Sequence, residues 1–110
     1  MTDERVRRVG ENEALFRIVN EQIKAVTGGA ATTHEFGVVC ECAALTCQTQ
    51  LTISPEVYEQ TRARSDHFVV APGHQLDDIE RVIDDHQTFF VIEKTPEEAR
   101  RVADEMDPRA

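Results

Sequence analysis

The chain has 110 residues, of which 40% are hydrophobic and 30% charged, and its formal net charge is −9. This length and composition predict a single globular domain over residues 1–110, with about the first ten residues open to fraying. An acidic surface repels phosphate backbones, so we expect a protein partner in preference to nucleic acid. The sequence has no apolar run of the length of a membrane span or a signal peptide, and we therefore expect a cytoplasmic protein with reduced thiols.

The first predicted element is a helix over residues 3–27. Its apolar residues recur at helical spacing on one face, a pattern typical of an amphipathic helix. These residues are Leu15, Ile18, Val19, Ile23 and Val26. Gly28 is the predicted C-terminal cap, and Gly10 weakens the first turns by about 1 kcal/mol relative to alanine. The helix is also the surface through which we expect copies of the chain to associate if the protein is a homo-oligomer.

The rest of the chain predicts two hairpins, one further strand and two helices. "EFGVVCEC" and "CQTQLTI" form the first hairpin around the loop "AALT". Ser54 and Pro55 begin a short helix over residues 55–63, and "HFVVA" is a short strand. "ERVIDD" and "TFFVIEK" form the second hairpin, and a capping box begins the last helix over residues 96–106. This order predicts an α+β fold: a single small domain with a mainly antiparallel sheet, a long N-terminal helix and a C-terminal helix.

All three cysteines fall within eight residues of the first hairpin, at Cys40, Cys42 and Cys47. Alternation along the strands places the three side chains on one face. The hairpin register places Cys42 opposite Cys47, with Cβ atoms roughly 5 Å apart. Three sulfurs on one side predict a metal site, and tetrahedral zinc requires a fourth nitrogen or sulfur ligand from elsewhere in the chain.

Four histidines compete for the fourth position. His74 ranks first because it lies in a Pro-Gly turn just after a short strand, from which a side chain can reach a neighbouring hairpin loop. His67 begins a strand and His86 lies in a tight hairpin turn, so both rank behind it. His34 lies about 20 Å from Cys40 at the rise of a strand, which is too far for a shared ion.

The metal site has competing interpretations. In one of them the cysteines are buried, inert thiols, and in another Cys42 and Cys47 form a redox disulfide. Zinc is the metal that thiolate and imidazole ligands favour first, with an iron–sulfur cluster as the alternative. Four protein ligands would close the site and make it structural, whereas three ligands and a water would make it catalytic. Because three thiolates make a bound water a poor acid, the closed site is preferred.

These features predict a small metal-binding protein with structural zinc that acts as a protein-interaction or regulatory module rather than as an enzyme. The alternatives are a metalloenzyme with an open zinc position and a thiol redox sensor that releases its metal on oxidation. Glu41 is predicted to be a solvated strand residue, and Arg62 and Arg64 are predicted to be favourable charges near the end of the second helix.

Segments along nearly the whole chain resemble a set of small uncharacterised actinobacterial proteins. The most specific of them are the motifs C-E-C-x4-C and P-G-H, carried by Cys40, Glu41, Cys42, Cys47, Pro72, Gly73 and His74. Longer and less specific matches are "ENEALFRIVNEQI" and "ERVIDDHQTFFVIEK". No activity is attached to that set of proteins, so the resemblance implies an actinobacterial origin and a cytosolic setting but no mechanism.

Overall fold

A computed structural model of the protein describes residues 3–27 and 34–109. This part of the chain contains three helices and two antiparallel sheets, which confirms the predicted α+β fold class. In chain order the elements are α1 (Asp3–Val26), β1 (Phe36–Val39), β2 (Gln50–Ile53), α2 (Pro55–Arg62), β3 (His67–Val70), β4 (Glu80–Asp85), β5 (Phe90–Lys94) and α3 (Glu97–Glu105). The predicted cap Gly28 lies outside the described residues.

Strands β1 and β2 form a two-stranded antiparallel sheet in the predicted register, in which Val39 lies opposite Gln50. Both strands are shorter than the sequence predicts, because they stop before they reach the cysteines. The reason is a change of partner: the backbone N–H of Glu41 donates to the carbonyl of Val69 in β3, at 2.8 Å. The chain thus leaves β2 for the second sheet at the point where the cysteines begin.

Strands β3, β4 and β5 form a three-stranded antiparallel sheet with β5 in the centre. The second predicted hairpin is the β4–β5 pair, whose register is interrupted between Val82 and Asp84. Its turn contains Gln87, which has a positive φ of 71°. The main core joins both sheets to helix α2, and its most buried members include Val38, Ile53, Tyr58, Phe68 and Ile92.

Helix α1 packs on the core with its polar face. Glu13, Arg17 and Asn20 are at most 1% exposed, although all three side chains are polar or charged. The predicted apolar face is divided, because Ile23 packs against the main core whereas Leu15 is 50% exposed and Val26 is 86% exposed. Part of this face therefore points away from the core.

Buried polar side chains of α1 are stabilised by hydrogen bonds to residues elsewhere in the chain. Arg17 donates to the carbonyls of Ser65 and Ala103 at 2.6 and 2.7 Å. The side-chain amide of Asn20 donates to the carbonyl of Val39 at 2.9 Å and accepts from its N–H at 2.8 Å. These are the two hydrogen bonds that a residue of a neighbouring strand would make. A buried polar group without a partner costs about 1–3 kcal/mol, so these contacts determine which face of the helix is inside.

A buried ion cluster joins α1 to β4 and β5. The Lys94 ammonium donates to Glu13 at 2.5 Å and to Glu80 at 2.6 Å, and all three side chains are at most 1% exposed. Burial, together with a hydrogen bond to Glu80, raises the pKa of Glu13 well above its ordinary value. Burial acts in the same direction on Glu80, but the hydrogen bond from Glu13 and the charge of Lys94 lower the pKa of Glu80. The two acids that share Lys94 therefore differ in acidity, with Glu80 the stronger acid.

The first turns of α1 pack against helix α3. Val6 and Val9 are buried in one cluster with Ala99. Gly10 lies so close to α3 that a Cβ atom at this position would be 3.2 Å from Val102 Cγ1. The missing side chain lets the two helices approach, which offsets the low helix propensity of glycine.

Candidate metal centre

The three cysteines and one histidine converge on a single point. One donor atom from each of Cys40, Cys42, Cys47 and His74 lies within 4.8 Å of the other three. Cys40 and Cys42 are buried, Cys47 is half-buried and His74 is exposed, so the point lies between the core and solvent. The structure thus brings together the four side chains that the sequence singles out, and together they can hold a metal ion.

Two tight turns deliver the outer two ligands. The N–H of Cys47 donates to the carbonyl of Ala44 at 2.9 Å, which closes the turn that leads back toward the first two cysteines. The N–H of His74 donates to the carbonyl of Ala71 at 3.0 Å and closes a second turn after β3. Gly73 in that turn has a φ of 88°, which glycine adopts without strain. The Pro-Gly turn is thereby able to carry His74 to the cysteines.

Two of the distances between donor atoms are compatible with a tetrahedral metal site. His74 Nδ1 lies 3.5 Å from Cys40 Sγ and 3.6 Å from Cys47 Sγ. Zinc binds sulfur at about 2.3 Å and nitrogen at about 2.0–2.1 Å, so a tetrahedral angle separates the two ligand atoms by about 3.6 Å. The observed separations therefore leave room for one ion between the donors.

The two buried thiols are approached by backbone N–H groups. The N–H of Ala71 donates to Cys40 Sγ at 3.2 Å. Burial raises the pKa of Cys40 and Cys42, and the N–H groups of Ala71 and Ala44 act against that rise. Hydrogen bonds to a charged acceptor are stronger than neutral ones, so the same N–H groups would stabilise the thiolates that a metal requires.

The third thiol differs from the other two in its acidity. Partial burial acts to raise the pKa of Cys47, but hydrogen bonds from the backbone and side chain of Thr49 oppose it. Together with contacts to Cys42 and His74, they lower the pKa of Cys47 to about 7. Cys47 is therefore the thiol most easily deprotonated before a metal arrives.

The surroundings of Glu41 differ from those that the sequence predicts. Its side chain is fully buried and pairs with Arg62 at 2.7 Å, so the prediction of a solvated Glu41 is wrong, whereas Arg62 lies in the last turn of α2 as predicted. Arg64, by contrast, is exposed and pairs with Asp66 at 3.5 Å. Alternation does place Glu41 on the face opposite the cysteines. No local pattern indicates that helices α1 and α2 cover that face.

The competing histidines lie elsewhere. His67 contacts Glu93 at 3.0 Å and Asp66 at 3.9 Å, and the three residues form a second group with ligand-like spacing. Three arginines already pair with these carboxylates: Arg64, Arg81 and Arg100. This group is therefore an ion-pair network. His86 stacks on Phe89 with ring centroids 4.6 Å apart.

Comparison of the chain with protein-family models, with curated proteins and with solved structures found no match. The resemblance to small actinobacterial proteins therefore stays a prediction from the motifs alone. Within the described ranges, no helix combines the length and the apolar character needed to cross a membrane.

Proposed function

We propose that the protein binds one zinc ion through Cys40, Cys42, Cys47 and His74, and that this closed site stabilises a cytoplasmic interaction or regulatory module. The observation that carries the proposal is the separation of His74 Nδ1 from two of the sulfurs, 3.5 and 3.6 Å. Four protein donors complete a tetrahedral shell and leave no position for a reactive water. The site is therefore structural rather than catalytic.

Zinc suits this donor set better than an iron–sulfur cluster does. Thiolate and imidazole ligands both favour zinc. A two-iron cluster divides its protein ligands between two metal atoms, whereas the four donor atoms here all lie within 4.8 Å of one another. Three thiolates and a neutral imidazole leave the zinc complex with one net negative charge, which the backbone N–H groups around the sulfurs offset.

A thiol redox sensor is the second candidate function. It is favoured by Cys47, which is half-buried and whose pKa of about 7 is typical of a reactive thiol. In such a sensor peroxide would oxidise Cys42 and Cys47 to a disulfide, with water as the reduced product, and the metal would be released. Zinc that stays bound in mild peroxide would exclude the sensor and leave the structural site unaffected.

Protein purified without a metal-affinity tag is expected to contain one zinc per chain and, after denaturation, three free thiols. His74→Ala is expected to weaken zinc binding by at least about 100-fold, because loss of a ligand exceeds the effect of losing a group that only supports one. Elemental analysis measures the zinc content, and competition with a chelator measures the affinity.

The matched control is His86→Ala, which removes an exposed imidazole stacked on Phe89. It should leave zinc content and affinity unchanged. A wild-type protein without zinc, or equal zinc affinity in the two variants, would contradict the proposed site.

The outward face of α1 supports a second copy of the chain as the protein partner. Leu15, Val19, Gln22 and Val26 recur at alternating intervals of four and three residues, the spacing of a coiled-coil seam. None of them is charged, so the stripe avoids the repulsion that a net charge of −9 creates elsewhere on the surface. The stripe also complements itself, as a twofold interface requires.

Sedimentation equilibrium is expected to show the mass of a dimer at high protein concentration. Leu15→Lys is expected to restore the monomer, because it places a charge in the seam. Leu45→Lys is the matched control, since Leu45 is 58% exposed but lies outside α1, and it should leave the dimer intact. A monomer at every concentration would rule out a second copy as the partner.

A further inference from the structure

We propose that Glu41 is a positioning residue for the metal centre. Paired with Arg62, it fixes the peptide between Cys40 and Cys42 in the orientation that directs both thiols toward the ion. This inference rests on the proposed function, because it assigns a role to a residue that does not itself touch the metal. It accounts for a buried charge between two neighbouring ligands.

The Glu41 carboxylate is held by four hydrogen bonds. Arg62 donates to both oxygens, at 2.7 Å to Oε1 and 3.1 Å to Oε2. The backbone N–H of Val69 donates to Oε1 at 3.0 Å, and Asn20 Nδ2 donates to Oε2 at 2.7 Å. Each oxygen thus accepts two hydrogen bonds, which is the full capacity of a carboxylate. The side chain has no freedom to adopt another orientation without losing a charged contact.

The backbone on either side of this carboxylate is held as well. The N–H of Glu41 donates to the carbonyl of Val69 at 2.8 Å, so the two residues are joined by one backbone and one side-chain bond. The N–H of Cys40 donates to the carbonyl of Thr49 at 2.9 Å on the other side. Just after the end of β3, the N–H of Ala71 donates to Cys40 Sγ at 3.2 Å. The segment that carries the first two ligands is therefore held between the two sheets.

Fixing Glu41 constrains its neighbours because only one peptide unit separates it from each of two ligands, Cys40 before it and Cys42 in the bend that follows. While the Glu41 side chain is held by α1, α2 and β3, the sulfurs of Cys40 and Cys42 converge on Cys47 and His74. Rotation of this peptide would turn the sulfurs away from the ion. The same rotation would also leave the Arg62 guanidinium buried without its partner.

A role in stability alone gives no reason for an ion pair at this place. Glu41 is 0% exposed, so removing its charge from water is unfavourable. Apolar residues of similar volume often replace such a pair with no loss of stability. The Glu41–Arg62 pair instead fixes the orientation of the segment around it, and that segment carries the metal ligands Cys40 and Cys42.

The test compares Glu41→Gln with Glu13→Gln, which makes the same substitution at another fully buried acid, one whose partner is Lys94 instead. The amide that Glu41→Gln introduces would turn a donor toward Arg62 and Asn20, so the orientation of the segment is lost. We expect Glu41→Gln to weaken zinc binding about 10–100-fold, the range for groups that support a ligand. The absorption bands of the Co²⁺-substituted protein should change in position or intensity. Glu13→Gln should leave zinc affinity and the Co²⁺ spectrum as in the wild type.

Zinc affinity is measured by chelator competition, and the free energy of unfolding is measured with zinc in excess. If Glu41→Gln lowers the free energy of unfolding but leaves zinc affinity and the Co²⁺ spectrum unchanged, Glu41 is only structural and the inference is wrong. Arg62→Lys keeps the charge but loses the two-pronged contact, and it should weaken zinc binding by a smaller factor. If neither variant folds in excess zinc, the pair serves the fold and the inference also fails. A wild-type protein that binds no zinc would instead remove the proposed function itself.

Discussion

Removal of the metal is expected to unfold the protein. The four proposed ligands follow or precede three different strands, so a bound ion would join the ends of β1, β2 and β3. Structural zinc supplies about 10–16 kcal/mol of apparent binding energy, while a whole domain is stable by only about 5–15 kcal/mol. The zinc-free chain therefore retains little or no net stability. Far-UV circular dichroism should show loss of helix on addition of a strong chelator and its recovery on addition of zinc.

A ligand substitution should have the same effect as chelation. Cys42→Ser removes a buried sulfur, and the variant is expected to lack a cooperative thermal transition at any zinc concentration near that of the protein. Chelator loaded with zinc beforehand is the control, and it should leave the spectrum unchanged. A zinc-free protein that still melts cooperatively near the wild-type temperature would show that the core is sufficient without the ion.

Lys94→Met is expected to lower the free energy of unfolding by about 3–5 kcal/mol at neutral pH. The substitution keeps the apolar stem but leaves Glu80 as a buried carboxylate without its cation. Both contacts of the ammonium are lost, at 2.5 Å to Glu13 and at 2.6 Å to Glu80. Chemical denaturation with zinc in excess measures the change. Arg101→Met is the matched control, because it breaks an exposed pair with Glu98 and should cost less than about 1 kcal/mol.

The effect of Lys94→Met should depend on pH in a defined direction. Although burial acts to raise it, the pKa of Glu80 is lowered in the folded protein by Glu13 and Lys94 from the ordinary value of 4.5. The stabilisation that ionised Glu80 contributes is therefore present above about pH 4.5, and it is lost as the pH falls through the lower pKa that Glu80 has in the folded protein. The difference in the free energy of unfolding between Lys94→Met and wild type should accordingly be largest at pH 7 and decrease below about pH 4.5. A difference independent of pH would show that lost packing, and not charge, is responsible.

The parts of the protein that the sequence predicts are those determined over short distances along the chain. Hairpin alternation places the cysteines on one face, and the register observed for β1 and β2 is the predicted one. The Pro-Gly turn identifies His74 because glycine permits the left-handed conformation found at Gly73. Both inferences use only neighbouring residues and the geometry of one turn or one strand pair.

The errors concern contacts between residues far apart in the chain. Glu13 lies 81 residues from Lys94, and Arg17 lies 86 residues from the Ala103 carbonyl that it binds. The periodicity of α1 identifies an apolar face and a polar face, but it cannot reveal that distant partners satisfy the polar one. The prediction of a solvated Glu41 fails for the same reason, since its partner Arg62 belongs to another helix.

The buried polar side chains of α1 also determine the position of the helix along its own axis. Aliphatic side chains tolerate a slide of one turn, because one methyl group packs much like another. A slide of four residues would put Arg17 in the place of Glu13, beside Lys94. The same slide would put Glu21 in the place of Arg17, where a carboxylate would face the carbonyls of Ser65 and Ala103, so unfavourable electrostatic contacts would arise at two points inside the protein. The contacts that hold α1 therefore select one axial position of the helix among several of similar shape. They thereby determine which stripe of α1 is exposed to other molecules.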